Sequence, residues 1–173
     1  LSDWLKQYNI PGLFDIDTRA LTKILREKGS MLGKIEFNDE EIEFYDPNKE
    51  NLVAIASCKE REEYGNGEHR VVLVDCGVKN NIIRCLLDRN ATVIRVPWNY
   101  DFSEEDYDGV FISNGPGDPA MCKETVDNVK KVIDIEKPLM GICLGNQLLA
   151  RAAGADTYKM KFGPRSHNQP VIL

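Results

Sequence analysis

From residue 71 to residue 153 the chain alternates short apolar runs with amphipathic stretches, and this alternation narrows the possible folds more than any other feature. Val71-Val72-Leu73-Val74 is continuously apolar, as expected for a strand buried on both faces. The spacing then predicts a helix over 80–89, with apolar residues at 82, 83, 86 and 87. A strand over 92–96 is stopped by Pro97, and a further strand covers 109–112. A helix over 125–133, a strand over 139–142 and a helix after Cys143 complete the series. Strict βα alternation with short connections implies a parallel, doubly wound α/β sheet. Loops that carry function in such sheets lie at the carboxyl ends of the strands.

Ahead of this block, Asp15-Ile-Asp17-Thr18 precedes a helical pattern with apolar residues at 20, 21, 24 and 25. Asp17 or Thr18 can cap that helix and Gly29 can end it, a better use of the two aspartates than a catalytic carboxylate pair. Residues 31–35 and a turn-rich 46–48 follow, then the apolar Leu52-Val53-Ala54-Ile55-Ala56. The charged run Lys59-Glu-Arg-Glu-Glu63, leading into Tyr64-Gly65-Asn66-Gly67, shifts composition sharply. We therefore expect an N-terminal block at 1–58, a solvated linker at 59–69 and the α/β domain at 70–173.

Two strand ends carry chemistry. Gly141-Ile-Cys143-Leu-Gly145-Asn-Gln147 sets a cysteine between a strand and a helix with a glycine on each side. That is the thiol counterpart of a nucleophile elbow, in which a sharp turn lifts the sulfur above the sheet and a helix N-terminus offers it backbone N–H groups. A plain buried cysteine is the bland alternative. The flanking glycines, with Gln147 one helical turn on, weigh against it. Asn114-Gly115-Pro116-Gly117-Asp118-Pro119 follows the strand over 109–112 and can aim backbone N–H groups at an oxyanion. Alone it would be an ordinary tight turn. A phosphate cradle ranks low, because no Lys-Ser/Thr follows as a P-loop requires.

Composition excludes several classes. With 22 basic and 28 acidic residues, the formal charge of −6 argues against a nucleic-acid footprint or an anionic membrane surface. Five cysteines (58, 76, 85, 122 and 143) form no C-x-x-C pair. With two histidines they suggest neither a disulfide framework nor a metal site, and they fit a reducing, cytoplasmic location. Cys58, Cys76, Cys85 and Cys122 read as packing residues.

Together, Ser113-Asn-Gly-Pro-Gly-Asp-Pro119 and Gly141-Ile-Cys-Leu-Gly-Asn-Gln147 resemble the class I, triad-type glutamine amidotransferases, whose α/β domain is flavodoxin-like. Three further segments resemble the small chains of carbamoyl-phosphate synthases: Leu13-Phe-Asp-Ile-Asp-Thr-Arg-Ala-Leu-Thr22, Val74-Asp-Cys-Gly-Val-Lys-Asn-Asn81 and Phe162-Gly-Pro-Arg-Ser-His-Asn-Gln-Pro170. The resemblance implies that Cys143 attacks the carboxamide of L-glutamine, forming a thioester and releasing ammonia. It implies an oxyanion hole from the Leu144 N–H and a glycine N–H of the 115–117 loop. Glutamine would be held by Gly115, Gly117, Leu144 and Gln147. The ammonia would pass to a large synthetase subunit that uses ATP and magnesium, in pyrimidine or arginine synthesis. No cofactor is implied in this chain, and neither nucleic acid nor membrane is among its implied partners.

The resemblance also implies a His-x-Glu pair near the C-terminus, which this sequence does not contain. His69 lies ahead of the α/β domain, and His167 sits in a segment that the family places well before its catalytic histidine. We expect a fragment lacking both ends, and a poor glutaminase on its own. The competing expectation is a non-catalytic docking and regulatory module, or another class I amidotransferase. Family members that use free ammonia carry serine or glycine where this chain has Cys143.

Overall fold

The computed structural model describes residues 1–37 and 40–163. The chain divides into two compact units, one comprising Leu1–Tyr45 with Lys159–Leu173 and the other Asp46–Tyr158.

In the first unit, α1 spans Ser2–Gln7 and α2 spans Thr18–Lys28. The Asp17 side chain accepts a hydrogen bond from the Ala20 N–H at 2.9 Å, so Asp17 is the cap and Thr18 the first helical residue. Gly29 ends α2 with φ of 88°, and its N–H donates to the Leu25 carbonyl. Asp15 and Asp17 thus belong to a helix start.

The second unit holds one five-stranded sheet. Its strands are β1 (Glu62–Tyr64), β2 (His69–Asp75), β3 (Ala91–Pro97), β4 (Gly109–Ile112) and β5 (Leu139–Gly141), in the order β1-β3-β2-β4-β5. All neighbours are parallel except β1, which runs antiparallel to β3. A short helix, α3 (Leu52–Ala56), precedes the sheet, and the connecting helices are α4 (Asn80–Leu87), α5 (Lys123–Asp134) and α6 (Leu144–Ala152).

Side-chain alternation sorts each strand between two cores. Val72, Val74, Ile94, Val96, Val110 and Ile112 pack with Val126, Val129, Val132, Leu144 and Leu148 of α5 and α6. Leu73, Val93 and Phe111 face the other way, with Ile83 of α4. Burial on both faces is why the strands read as unbroken apolar runs, and the doubly wound fold class is the one observed.

Two segments differ from expectation. The apolar run after Asn51 forms α3, which falls in the second compact unit rather than with the N-terminal block. Val53, 1% exposed, lies in the core shared by α5 and α6 and anchors the helix there. The segment read as a linker contributes β1, an edge strand fastened by charge. Arg95 donates to Glu62 at 2.8 Å across the β1–β3 pair.

The strand order reverses at β2. The chain moves from β2 to β3 on one side, then returns to place β4 on the other. Ligands bind such sheets outside the carboxyl ends of strands at the reversal. Here those ends carry residues 75–79 and 113–119, with the elbow at the end of β5 alongside.

Candidate active site

Cys143 stands at the sharp turn from β5 into α6, with φ of 54° and ψ of −110°. A non-glycine residue held at positive φ costs roughly 1–3 kcal/mol, and such conformations cluster at functional sites. The flanking glycines show what enforces it. A β-carbon on Gly141 would overlap the Gly145 backbone and lie 2.6 Å from the Asn146 nitrogen. One on Gly145 would run into the Ile112 carbonyl and lie 2.8 Å from the Ser113 oxygen. The turn therefore closes only because both neighbours lack side chains. The thiol is exposed, while Leu144 and Leu148 beneath it are buried in the core.

α6 begins directly at this thiol. The Cys143 carbonyl accepts from the Asn146 N–H at 3.1 Å and the Gln147 N–H at 3.3 Å. Gln147, four residues on from Cys143, lies in the first turn of α6 and is exposed. The Leu144 N–H is among the first-turn donors that a helix start leaves available.

Gly115 is wedged between the other two loops. A β-carbon there would strike the Cys76 carbonyl and approach Leu144 Cδ2 to 2.9 Å. The structure thus brings Gly115, one glycine of the 115–117 loop, beside the Leu144 side chain. Gly117 lies further along the loop, exposed, with a β-carbon position 3.3 Å from Leu52 Cβ of α3.

Sequence reasoning missed the polar stitching beneath these loops. The buried Ser113 hydroxyl donates to the Asn114 carbonyl at 2.8 Å and accepts from the Cys76 N–H at 2.9 Å. Asn114 donates from Nδ2 to the Gly77 carbonyl at 2.9 Å and accepts from the Lys79 N–H at 3.3 Å. A polar pair directly after a four-residue apolar strand was the available signal, because buried polar groups are retained where they find partners.

Asp75, fully buried at the end of β2, organises the adjoining loop. Burial opposes its ionised form. The Val78 and Gly77 N–H groups (both 2.8 Å), the Arg95 guanidinium (2.6 Å) and the Cys58 N–H (2.9 Å) outweigh that and hold the carboxyl below its usual range. The folded-state pKa thus lies below the unfolded value near ~3.9. Ionised Asp75 stabilises the fold fully above about pH 4, and the contribution is lost as pH falls through the depressed folded value. The urea midpoint is expected to fall on acidification below about pH 4, and Asp75→Asn to flatten that fall. Parallel declines in the two proteins would remove Asp75 from this role.

His69 is the first residue of β2. Six residue steps of ~3.3 Å separate it from the carboxyl end, so it sits roughly 20 Å from the end of the sheet where the elbow lies. His167 lies outside the described residues. Among the remaining cysteines, burial pushes Cys58 and Cys122 up to about 11 and raises Cys76 as well. Cys85 differs from the packing role expected of it, being exposed on α4.

A doubly wound sheet ending in a cysteine elbow, flanked by a glycine loop at the strand reversal, defines a class of protein. A family model for class I glutamine amidotransferases matches residues 72–173, and the chain belongs to that family. A model for the CPSase domain of the carbamoyl-phosphate synthase small chain matches residues 1–35. The N-terminal segment is thus similar to the small chain of carbamoyl-phosphate synthases.

Its relatives agree. It is 50% identical over 175 residues to the human mitochondrial carbamoyl-phosphate synthase [ammonia], covering 99% of this chain and 12% of that protein. It is 50% identical over 192 residues to multifunctional protein pyr1-3 of Dictyostelium discoideum, with 99% and 9% covered. With multifunctional protein CAD of Squalus acanthias it shares 53% identity over 178 residues, covering 99% and 8%. The chain thus spans only about a tenth of the length of these relatives. Among solved structures, a putative GMP synthase component from Thermoplasma acidophilum matches 53% of this chain and 48% of that one, at 27% identity and a TM-score of 0.41.

Proposed function

We propose that the chain is the glutamine-hydrolysing part of a carbamoyl-phosphate synthase, supplying ammonia to a synthetase partner. The observation that carries this reading is the strained, exposed Cys143 with the Gly115 loop packed against Leu144.

The Cys143 thiolate attacks the carboxamide carbon of L-glutamine, forming a C–S bond as the carbonyl π electrons move to oxygen. The resulting oxyanion lies between the Leu144 N–H and a backbone N–H of the Gly115–Gly117 loop, where preorganised donors act at the moment charge develops. Gln147, in the first turn of the helix that follows the nucleophile, orients the substrate with Gly115 and Gly117. Collapse of the intermediate breaks the C–N bond, and the nitrogen leaves as ammonia after taking a proton. Water then cleaves the γ-glutamyl thioester to glutamate and regenerates the thiol. The ammonia passes to the synthetase, where ATP and magnesium serve its union with bicarbonate.

The name of the human relative specifies ammonia, which suggests a second reading: a docking module of a synthetase fed by free ammonia. Cys143 at a fully formed elbow favours glutamine. The test is carbamoyl phosphate formation by the intact protein with either nitrogen donor. Formation from glutamine at a rate comparable to that from ammonia is expected. Formation from ammonia alone would replace this reading with the second.

A further inference from the structure

We propose that α3 clamps the glycine loop of the site, and that Asn51 is the positioning residue that closes the clamp. This rests on the glutaminase reading of the same site. α3 has five residues, and a helix so short does not hold itself together. Its conformation comes from what it packs on. Val53 plugs into the core beneath the loops. Leu52 lies against Gly117, and Ala56 lies against Gly77, where β-carbons would stand 3.3 Å from their Cβ atoms.

Asn51 fastens this arrangement at both ends of its amide. Oδ1 accepts from the Ala54 N–H at 3.1 Å and caps α3. Nδ2 donates to the Met121 carbonyl at 3.0 Å, reaching 70 residues along the chain to the turn that ends the glycine loop. On the near side the loop is held by the Asn114 amide and Ser113. On the far side, Asn51 supplies the bond from α3 to the turn over Pro119–Met121. The Gly115–Gly117 backbone is thus pinned at both ends, and its N–H groups are held in one direction. Oxyanion stabilisation depends on that direction, because displaced donors no longer meet the developing charge.

The two bonds of Asn51 can be separated. Asn51→Ser keeps a good N-cap but is too short to reach Met121. Asn51→Asp keeps the cap and turns the donor into an acceptor facing a carbonyl. Two readouts on the intact protein test the clamp. Hydrogen exchange at the hydrogen-bonded amides of Ala120, Met121 and Cys122 is expected to quicken about tenfold in Asn51→Ser, with little change in melting temperature. In glutamine hydrolysis, kcat is expected to fall about tenfold while KM stays within about twofold, since the lost alignment matters chiefly in the transition state. Asn51→Asp is expected to match or exceed both effects, and it replaces Asn51→Ser should that variant not fold.

Unchanged loop exchange would overturn the clamp. Faster exchange with unaltered kcat would overturn the positioning role. Should the unaltered protein hydrolyse no glutamine, the functional reading falls, while the exchange comparison still decides whether Asn51 holds the loop.

Discussion

Cys143→Ser is expected to lower glutamine-dependent carbamoyl phosphate formation about a thousandfold or more, while ammonia-dependent formation stays within about twofold. The asymmetry follows from where the residue sits. Its side chain is exposed at the top of the turn, so exchanging sulfur for oxygen disturbs no packing. Serine's hydroxyl is far less ionised near neutral pH and a weaker nucleophile, and losing a nucleophile that acts as part of a unit costs several orders of magnitude. Ammonia bypasses the thiol. Loss with both donors would mean that the substitution disturbed assembly or folding, and retention with glutamine would dismiss Cys143 as the nucleophile.

The second large effect is on stability. Gly145→Ala would place a methyl group into the Ile112 carbonyl and 2.8 Å from the Ser113 oxygen. Both obstacles are backbone, one of them the last residue of β4, so no rotamer change relieves the overlap. Relief requires α6 to withdraw from the sheet, which pulls Leu144 and Leu148 out of the core. Overpacking of this kind costs about 3 kcal/mol. Over a unit of this size that lowers the melting temperature by about 10 °C. Thermal unfolding of the purified variant checks it. A shift below about 3 °C would show that the elbow has room to spare. The same displacement carries Cys143 off its turn, so glutaminase activity is expected to fall as well.

Much of the α/β unit was legible because its strands are buried on both faces, which leaves unbroken apolar runs at 71–74 and 109–112. The elbow was legible because a glycine on each side of a cysteine, between a strand and a helix, has little other reason to be there. The start of α2 was legible from Asp17 and its end from Gly29. α3 was not. Five apolar residues suit a strand or a helix equally, and only the burial of Val53 in a distant core decides where they belong. β1 was hidden for the opposite reason. Glu62 and Glu63 read as solvated charge, yet Arg95 and Arg70 on the body of the unit provide their counter-ions. The stitching by Ser113 and Asn114 lay inside a motif whose glycines dominate its pattern, and side-chain partners nearly forty residues away leave no local trace.

The proposed function makes Cys143 the reactive thiol of a glutamine site. The most direct measurement uses a diazoketone analogue of glutamine, which alkylates a nucleophile seated beside the bound amino acid. Cys85 serves as the internal control, since among the described residues both it and Cys143 are exposed thiols. A single adduct is expected, mapped by peptide mass to Cys143, with labelling slowed by added glutamine and Cys85 left free. Equal labelling of Cys85 and Cys143, or labelling of Cys143 that glutamine does not slow, would contradict it.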